Sequence, residues 1–249
     1  MERLNESRIG AVLTDAFAVR ASASTASTLH AQHGTGLIVG LDSDVTVTGP
    51  DGARVHGRAM VIPPHLLHTV TSPGPTVGLL YDPQELPRIA DYSRMKGSAF
   101  PLEGPLAARL GAALAAHRAS LSQPDVLEGF ARETATWLSK ETPRRAPDRR
   151  VARVLEALRD PTADRRLVVA RTGLSQAHLQ ALFVRDVGLP IRTFRLWRRL
   201  LVAVAAMARL DATDAAHLAG FADLAHFSRT CRRMLGYSPT ALRDGLLRT

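Results

Sequence analysis

An internal repeat in the C-terminal part of the chain restricts the possible folds more than any other feature of the sequence. The segment GLSQAHL (173–179) returns as GFADLAHF (220–227), at an offset of 47 residues between the two leading glycines. Each copy offers a glycine for a turn, a serine or aspartate able to cap a helix, and an amphipathic helix that ends at Gly188 or Gly236. This pattern is typical of a helix-turn-helix, so we predict two such units in tandem, joined by a long helix from about residue 191 to 210.

The basic charge of the chain is confined to the same part. The 249 residues carry a formal net charge of +9. Residues 1–147 hold 14 basic and 14 acidic side chains, whereas residues 148–249 hold 18 basic and 9 acidic ones. The whole excess therefore lies on the repeat-bearing segment, which indicates a polyanionic partner for that segment.

The second helix of each unit, 175–187 and 223–235, is expected to bury one face and expose the other. Glutamine can pair with adenine, arginine with guanine, and small apolar side chains can contact the thymine methyl group, so the outer faces suit the major groove. A solvated basic face is the simpler interpretation, but two units on the charged segment favour DNA. The candidates for base or groove contacts are Gln176, Ala177, Gln180, Ala181, Arg185, Leu224, Ala225, Ser228 and Arg229, and those for phosphate contacts are Arg192, Arg198, Arg232 and Arg233.

Residues from about 150 to 249 resemble the DNA-binding region of AraC-family transcriptional regulators. The resemblance implies recognition helices in successive major grooves, and RNA polymerase as the target of an activator, the commoner role in the family. It places Ala177, Gln180, Ala181, Leu224, Ala225 and Arg229 against bases. The matching pattern consists of Ala216, Gly220, Phe221, Asp223, His226, Phe227, Arg229, Gly236 and Ser238-Pro239.

The chain departs from the family pattern at three places. Val169 stands where the family prefers alanine, Cys231 where it has phenylalanine, and Leu189-Pro190 where it has Ser-Pro. These changes are expected to loosen packing. Because two alanines leave the first recognition helix poor in hydrogen-bonding groups, base specificity is expected to depend on Gln176, Gln180 and Arg229.

The N-terminal part has the pattern of short antiparallel strands. Residues 16–82 contain short runs rich in valine, threonine and glycine, and Val45 and Val47 alternate with threonines before the turn sequence GPDG, which predicts a hairpin. Leu106, Leu110 and Leu114 then form one helical stripe, and a second helix should begin at Pro124. The stripe either packs on the strands or forms a homodimer contact.

Two histidines, His30 and His33, precede the run GLIVGL, and Gly57, Pro63 and His68 lie in GRAMVIPPHLLH. In this pattern residues 25–83 resemble the cupin-like barrel that precedes the DNA-binding region in many such regulators. Cupin enzymes hold a metal with several histidines and a glutamate. Here His30 and His33 are three residues apart, so on a strand they would face opposite sides, and one of them should not be inside. With His68 this leaves at most two convergent histidines, too few for a catalytic zinc site, so we predict no metal and no cofactor. His56 and His65 should be exposed.

The remaining interpretation of the barrel is a binding site for a small-molecule effector, lined by His30, Leu37, Val39, Val61 and His68. A metal-dependent cupin enzyme with a basic helical appendage is the alternative. A second alternative is a basic module that binds protein.

The predicted fold class is a multidomain α+β protein. It comprises an N-terminal cupin-like antiparallel β-barrel (1–100), a helical hairpin and a linker around Pro143 and Pro147 (101–147), and an all-α tandem helix-turn-helix domain (148–249). No apolar run reaches the roughly 20 residues that span a bilayer, and no secretory signal is present, so we expect a cytoplasmic regulator and not an enzyme. One cysteine excludes an internal disulfide.

Overall fold

The computed structural model describes residues 11–14, 16–83, 86, 97–140, 147–158, 165–170 and 172–246. It divides into two compact units, residues 1–143 with 231–249, and residues 144–230. One boundary, between residues 143 and 144, lies in the predicted linker, and the other, between residues 230 and 231, lies inside the second repeat, because the final segment packs with the strands. The predicted linker residues 141–146 lie outside the described part.

The first unit contains a sheet of six antiparallel strands. Its spatial order is β1-β2-β9-β4-β7-β10. The strands are β1 (Ala11–Leu13), β2 (Phe17–Ser22), β4 (Thr35–Gly40), β7 (Ala59–Ile62), β9 (Thr76–Tyr81) and β10 (Phe100–Pro101).

A second antiparallel sheet of four strands has the order β3-β8-β5-β6. The predicted hairpin lies in it: Val45 of β5 pairs with Gly57 of β6, and Gly52 in the turn has a positive φ of 83°. Glycine suits this turn because a side chain is strained in that conformation. The strands are β3 (Thr25–Ala26), β5 (Val45–Thr48), β6 (Arg54–Gly57) and β8 (Thr69–Ser72).

The two faces of the six-stranded sheet pack against different partners. One face joins a core with the helical hairpin, α1 (Gly104–His117) and α2 (Pro124–Lys140), in which Leu110 and Leu114 are buried. The opposite face carries Met60 and Ile62, which pack with Val45, Val47 and Val70 of the second sheet. The leucine stripe is thus used inside the unit, as the first of the two interpretations predicted. A 3₁₀ turn over Arg118–Ser120 joins the two helices.

Beyond residue 147 the described chain is helical. The core of the first repeat is formed by residues such as Val154, Leu179, Phe183 and Phe194. The connecting helix ends at Ala206, four residues before the predicted end, and turns follow it. The helices are α3 (Arg149–Ala157), α4 (Arg165–Ala170), α5 (Gln176–Val187), α6 (Ile191–Ala206), α7 (Ala212–Leu218), α8 (Leu224–Leu235) and α9 (Pro239–Leu246).

The observed architecture is an antiparallel β-sheet domain with a helical region after it, which confirms the predicted α+β class. Among the helices of the described residues, none is long and apolar enough to cross a membrane.

Candidate nucleic-acid interface

The first helix-turn-helix consists of α4 and α5. Gly173 in the connecting turn has a φ of 67°, and the hydroxyl of Ser175 accepts a hydrogen bond from the backbone N–H of His178 at 3.3 Å. Gly188 ends α5 with a φ of 89°. The two glycines and the serine therefore act as predicted. The serine supplies an acceptor at the start of α5, where the first backbone N–H groups have no partner within the helix.

The second helix-turn-helix, α7 and α8, repeats this geometry. Gly220 has a φ of 76°, and Asp223 Oδ1 accepts a hydrogen bond from the N–H of His226 at 2.6 Å. The Phe221 ring lies 5.2 Å from that of Phe227, between ring centroids, and both side chains are buried. The two units therefore share one construction, with recognition helices within one residue of the predicted bounds.

The structure exposes most of the predicted base-contacting residues. At the start of α5, Gln176, Ala177 and Ala181 are exposed and Gln180 is half-buried. On α8 the exposed set comprises Leu224, Ala225 and Arg229, with Ser228 half-buried. Their opposite faces carry the buried residues Leu179, Leu182, Phe183, Phe227 and Cys231.

The predicted phosphate-binding arginines fall into different environments. Arg192, Arg232 and Arg233 are exposed, whereas Arg198 is half-buried with its Nε away from solvent. Arg185, predicted for the groove, forms an ion pair with Asp186, with 2.7 Å between Nε and Oδ1. Because its guanidinium is bound to a carboxylate, it is less available for a contact with DNA.

Arg199 has a role that the sequence did not indicate. Its Nη1 donates a hydrogen bond to the carbonyl oxygen of Gly220 at 3.3 Å. The guanidinium of this α6 residue therefore supports the turn of the second unit. In the sequence Arg199 is one of four arginines of this helix, and nothing in the pattern distinguishes it from the other three.

At Cys231, where the family pattern has phenylalanine, the side chain is fully buried, and burial raises the pKa of the thiol to about 12. A thiol with so high a pKa stays protonated and unreactive at neutral pH. The cysteine is therefore a small apolar side chain of the core.

The residues predicted to line an effector site do not share one surface. Leu37, Val39 and Val61 belong to the core between the six-stranded sheet and the helical hairpin. They face away from the space between the sheets, because the residues that alternate with them, Ile38 and Met60, pack toward the second sheet.

His30 and His68 do come together. Their backbones form an isolated antiparallel bridge, and their ring centroids are 4.4 Å apart. Burial lowers the pKa of both imidazoles, that of His68 to about 4. Each Nδ1 lies 2.8 Å from a backbone carbonyl oxygen, of Thr28 and of Leu66 respectively, so in the neutral ring Nδ1 carries the proton.

His33 is also buried, which corrects the expectation that one of the two N-terminal histidines lies outside. Residues 31–34 are not in a regular strand, so the alternation of faces does not apply to them. His33 Nδ1 is 3.3 Å from Nε2 of His65, and His56 and His65 are exposed as predicted. Among the described residues, no group of three or more histidine, cysteine, aspartate or glutamate side chains is placed to hold a metal ion.

Within the first unit, the strand segment around His30 also meets the end of α8. The N–H and the hydroxyl of Thr28 donate to the carbonyl oxygen of Gly236 at 3.1 and 3.0 Å, and the N–H of Ala31 donates to that of Arg233 at 3.0 Å. These bonds satisfy carbonyl groups that a helix end leaves without partners.

A family model described as a helix-turn-helix domain matches residues 168–245. A search of curated proteins finds no match. Among solved structures, the chain is similar to ToxT from Vibrio cholerae O395, with a TM-score of 0.60 and 11% identity, over 94% of this chain and 99% of that one.

A structure of ToxT from Vibrio cholerae strain SCE256 with an unsaturated fatty acid bound matches with a TM-score of 0.59 and 11% identity, over 95% and 98% of the two chains. At this identity the likeness concerns the fold. The family model and the two capped helical units show an AraC-type helix-turn-helix domain at residues 168–245, and the likeness to ToxT shows that an antiparallel β-sheet domain precedes it.

Proposed function

We propose that this chain is a sequence-specific transcriptional regulator that reads duplex DNA with α5 and α8. The observation that carries the proposal is the pair of recognition helices capped at the same position, each with an exposed N-terminal part. Residues near the N-terminus of such a helix are those that reach base edges in the major groove. DNA binding would place the protein with the chromosome, in the cytoplasm.

The side chains on these surfaces suit the two tasks of a DNA reader. Gln180 and Arg229 can form paired hydrogen bonds with adenine and guanine, and Ala177, Ala181 and Leu224 can contact thymine methyl groups. The exposed guanidinium groups of Arg192, Arg232 and Arg233 supply charge for phosphates, in the segment with the whole net charge of +9.

The antiparallel β-sheet domain is proposed to sense a small molecule. Its fold is that of ToxT, which has been solved with an unsaturated fatty acid bound. In a regulator of this kind a ligand changes DNA binding by favouring one of two conformations. The family role further suggests that a bound form contacts RNA polymerase and that the regulator acts as a homodimer.

The proposal is tested by fluorescence anisotropy of the full chain with labelled duplex DNA over a range of salt concentrations. The logarithm of the affinity should fall linearly with the logarithm of the salt concentration. Arg229→Ala should weaken binding to a selected site by roughly 1 to 3 kcal/mol, while Arg54→Ala, an exposed change on β6, should leave it unchanged. Salt-independent binding, or no binding, would contradict the proposal.

A further inference from the structure

A row of residues crosses the six-stranded sheet on the face that looks toward the second sheet. Arg20 of β2 pairs with Gly78 of β9, Gly78 pairs with Ile38 of β4, and Ile38 pairs with Met60 of β7. Directly paired residues point to the same side of a sheet. Because Met60 lies in the core between the sheets, Arg20 also faces that inner side.

A second, parallel row lies beside the first. Leu13 of β1 pairs with Ala18 of β2, Ala18 with Leu80 of β9, and Leu80 with Gly36 of β4. Gly36 is followed in this row by Ile62. These two rows are thus apolar apart from one guanidinium, and polar side chains, Ser22 and Thr76, follow in the next row.

Burial changes along these rows. Met60 and Ile62, opposite the four-stranded sheet, are both 0% exposed, whereas Leu13, Ala18 and Leu80 are half-buried. The inner face is therefore covered at one end and partly open at the other. We call this open part the trough; it consists of Leu13, Ala18, Arg20, Ile38, Gly78 and Leu80.

The floor of the trough has room for a ligand. A Cβ atom added to Gly78 would find only the Cγ1 atom of Ile38 within 4 Å, at 4.0 Å. Ala18 lies beside Gly78 on the neighbouring strand and adds only a methyl group. Small residues at the centre of a sheet face leave space that larger side chains would fill.

Arg20 stands at one end of this space. Its Nε is buried and has no hydrogen-bond partner, and within the described part of the chain no carboxylate forms an ion pair with it. Its guanidinium carbon lies 5.4 Å from the centroid of the Tyr237 ring. Arg20 as a whole is half-buried, and a buried donor such as its Nε–H is costly unless something completes its hydrogen bond.

Tyr237 supplies a second polar group at the same end. Burial raises the pKa of its hydroxyl, so the phenol stays neutral and able to donate a hydrogen bond. The neighbouring Gly236 lies against the His30 ring, since a Cβ there would come within 2.7 Å of Nδ1. Two side chains able to donate hydrogen bonds, Arg20 and Tyr237, thus lie together at one end of an apolar surface.

We propose that the trough binds an amphipathic monocarboxylate, with its hydrocarbon chain over Leu13, Ala18, Gly78 and Leu80 and its carboxylate on the guanidinium of Arg20. The inference rests on the proposed sensing role of the β-sheet domain and names the ligand class and the site. A planar carboxylate matches the two-pronged donor geometry of arginine. The apolar part gains by leaving water.

The test uses isothermal titration calorimetry of the full chain with straight-chain carboxylates from octanoate to oleate, below their micelle concentrations, and with the matching alcohols. At least one carboxylate should bind saturably, and its alcohol about tenfold more weakly, because an ionic hydrogen bond contributes roughly 1.5 to 3 kcal/mol. Arg20→Gln should remove this preference, and Arg54→Gln, the exposed control, should keep it.

Gly78→Leu provides an independent variant that fills the trough. It should abolish binding of the carboxylate while leaving the thermal midpoint of the ligand-free protein close to that of the native chain. If Arg20→Gln does not fold, Gly78→Leu and the comparison of acid with alcohol on the native chain still decide the question.

Three results would overturn the inference: no saturable binding across the series, equal affinity for acid and alcohol, or undiminished binding by Gly78→Leu. DNA binding of the same ligand-free preparation is measured in parallel. Intact DNA binding without carboxylate binding would reject only this inference, whereas loss of DNA binding would reject the proposed function.

Discussion

His30 and His68 lie opposite each other across an isolated backbone bridge, with their ring centroids 4.4 Å apart, their ring planes tilted by 48° and both residues at most 4% exposed. Two imidazoles so placed cannot both take up a proton without bringing two positive charges together in a buried site. The pair therefore stabilises the fold in its neutral form.

The stability of the first unit should consequently depend on pH. Burial and the neighbouring His30 lower the pKa of His68 from its ordinary value of 6.5 to about 4. Below pH 6.5 the unfolded chain binds a proton that the folded chain does not, so the free energy of unfolding should fall as the pH drops from about 6.5 to 4, by up to roughly 3 kcal/mol.

Urea unfolding at a series of pH values measures this dependence. His68→Asn keeps a donor for the carbonyl of Leu66 but cannot titrate, so it should flatten the curve, while the exposed His56→Asn should not. An unchanged slope in His68→Asn would refute the assignment.

The helix caps of the two repeats should contribute equally to stability. Ser175→Ala and Asp223→Ala each remove an acceptor for an N–H group in the first turn of a recognition helix. Each should lower the free energy of unfolding by roughly 0.5 to 2 kcal/mol, and Asp223→Ser, which keeps an acceptor, by much less. Chemical denaturation compares them; equal losses in Asp223→Ser and Asp223→Ala would argue against capping.

Arg185 is expected to matter more for the fold than for DNA. Its partner Asp186 has a side chain that is only 4% exposed and also accepts a hydrogen bond from the backbone N–H of Asp148. Arg185→Ala should lower stability by roughly 1 kcal/mol, because a buried carboxylate loses a charged partner. The salt dependence of DNA binding should change less than in Arg192→Ala. A larger change in Arg185→Ala would contradict this ranking.

Core packing of the helical unit gives a direct contrast between two leucines. Leu200 of α6 is 0% exposed and Leu218 of α7 is 62% exposed. Leu200→Ala should cost roughly 2 to 5 kcal/mol, and Leu218→Ala at most about 0.5. Thermal or urea unfolding measures both, and similar losses would contradict the arrangement of these helices.

The repeat could be predicted from sequence because its signals are local. Gly173, Ser175 and Gly188 each act within a few residues of their position, and the same holds for Asp223 and its helix. A glycine with positive φ and a capping side chain need no distant partner. The bounds of both recognition helices followed from them.

The inner lining of the β-sheet domain could not be predicted in this way. Alternation shows that Leu37 and Val39 share a face, but both faces of the sheet at their strand pack against other elements, one against helices and the other against strands. Which face receives which partner is decided by distant parts of the chain. For the same reason Arg20, within FAVRAS, gave no sign that Tyr237 would lie over its guanidinium.

Selection of bound duplexes from a randomised library by the full chain tests the central claim most directly. The native protein should enrich two short blocks of preferred bases about one helical turn, roughly 10 base pairs, apart. Gln180→Ala should erase the preference in one block and Arg229→Ala in the other. A library with no enriched sequence, or variants that keep both blocks, would contradict the assignment of α5 and α8 as the helices that read DNA.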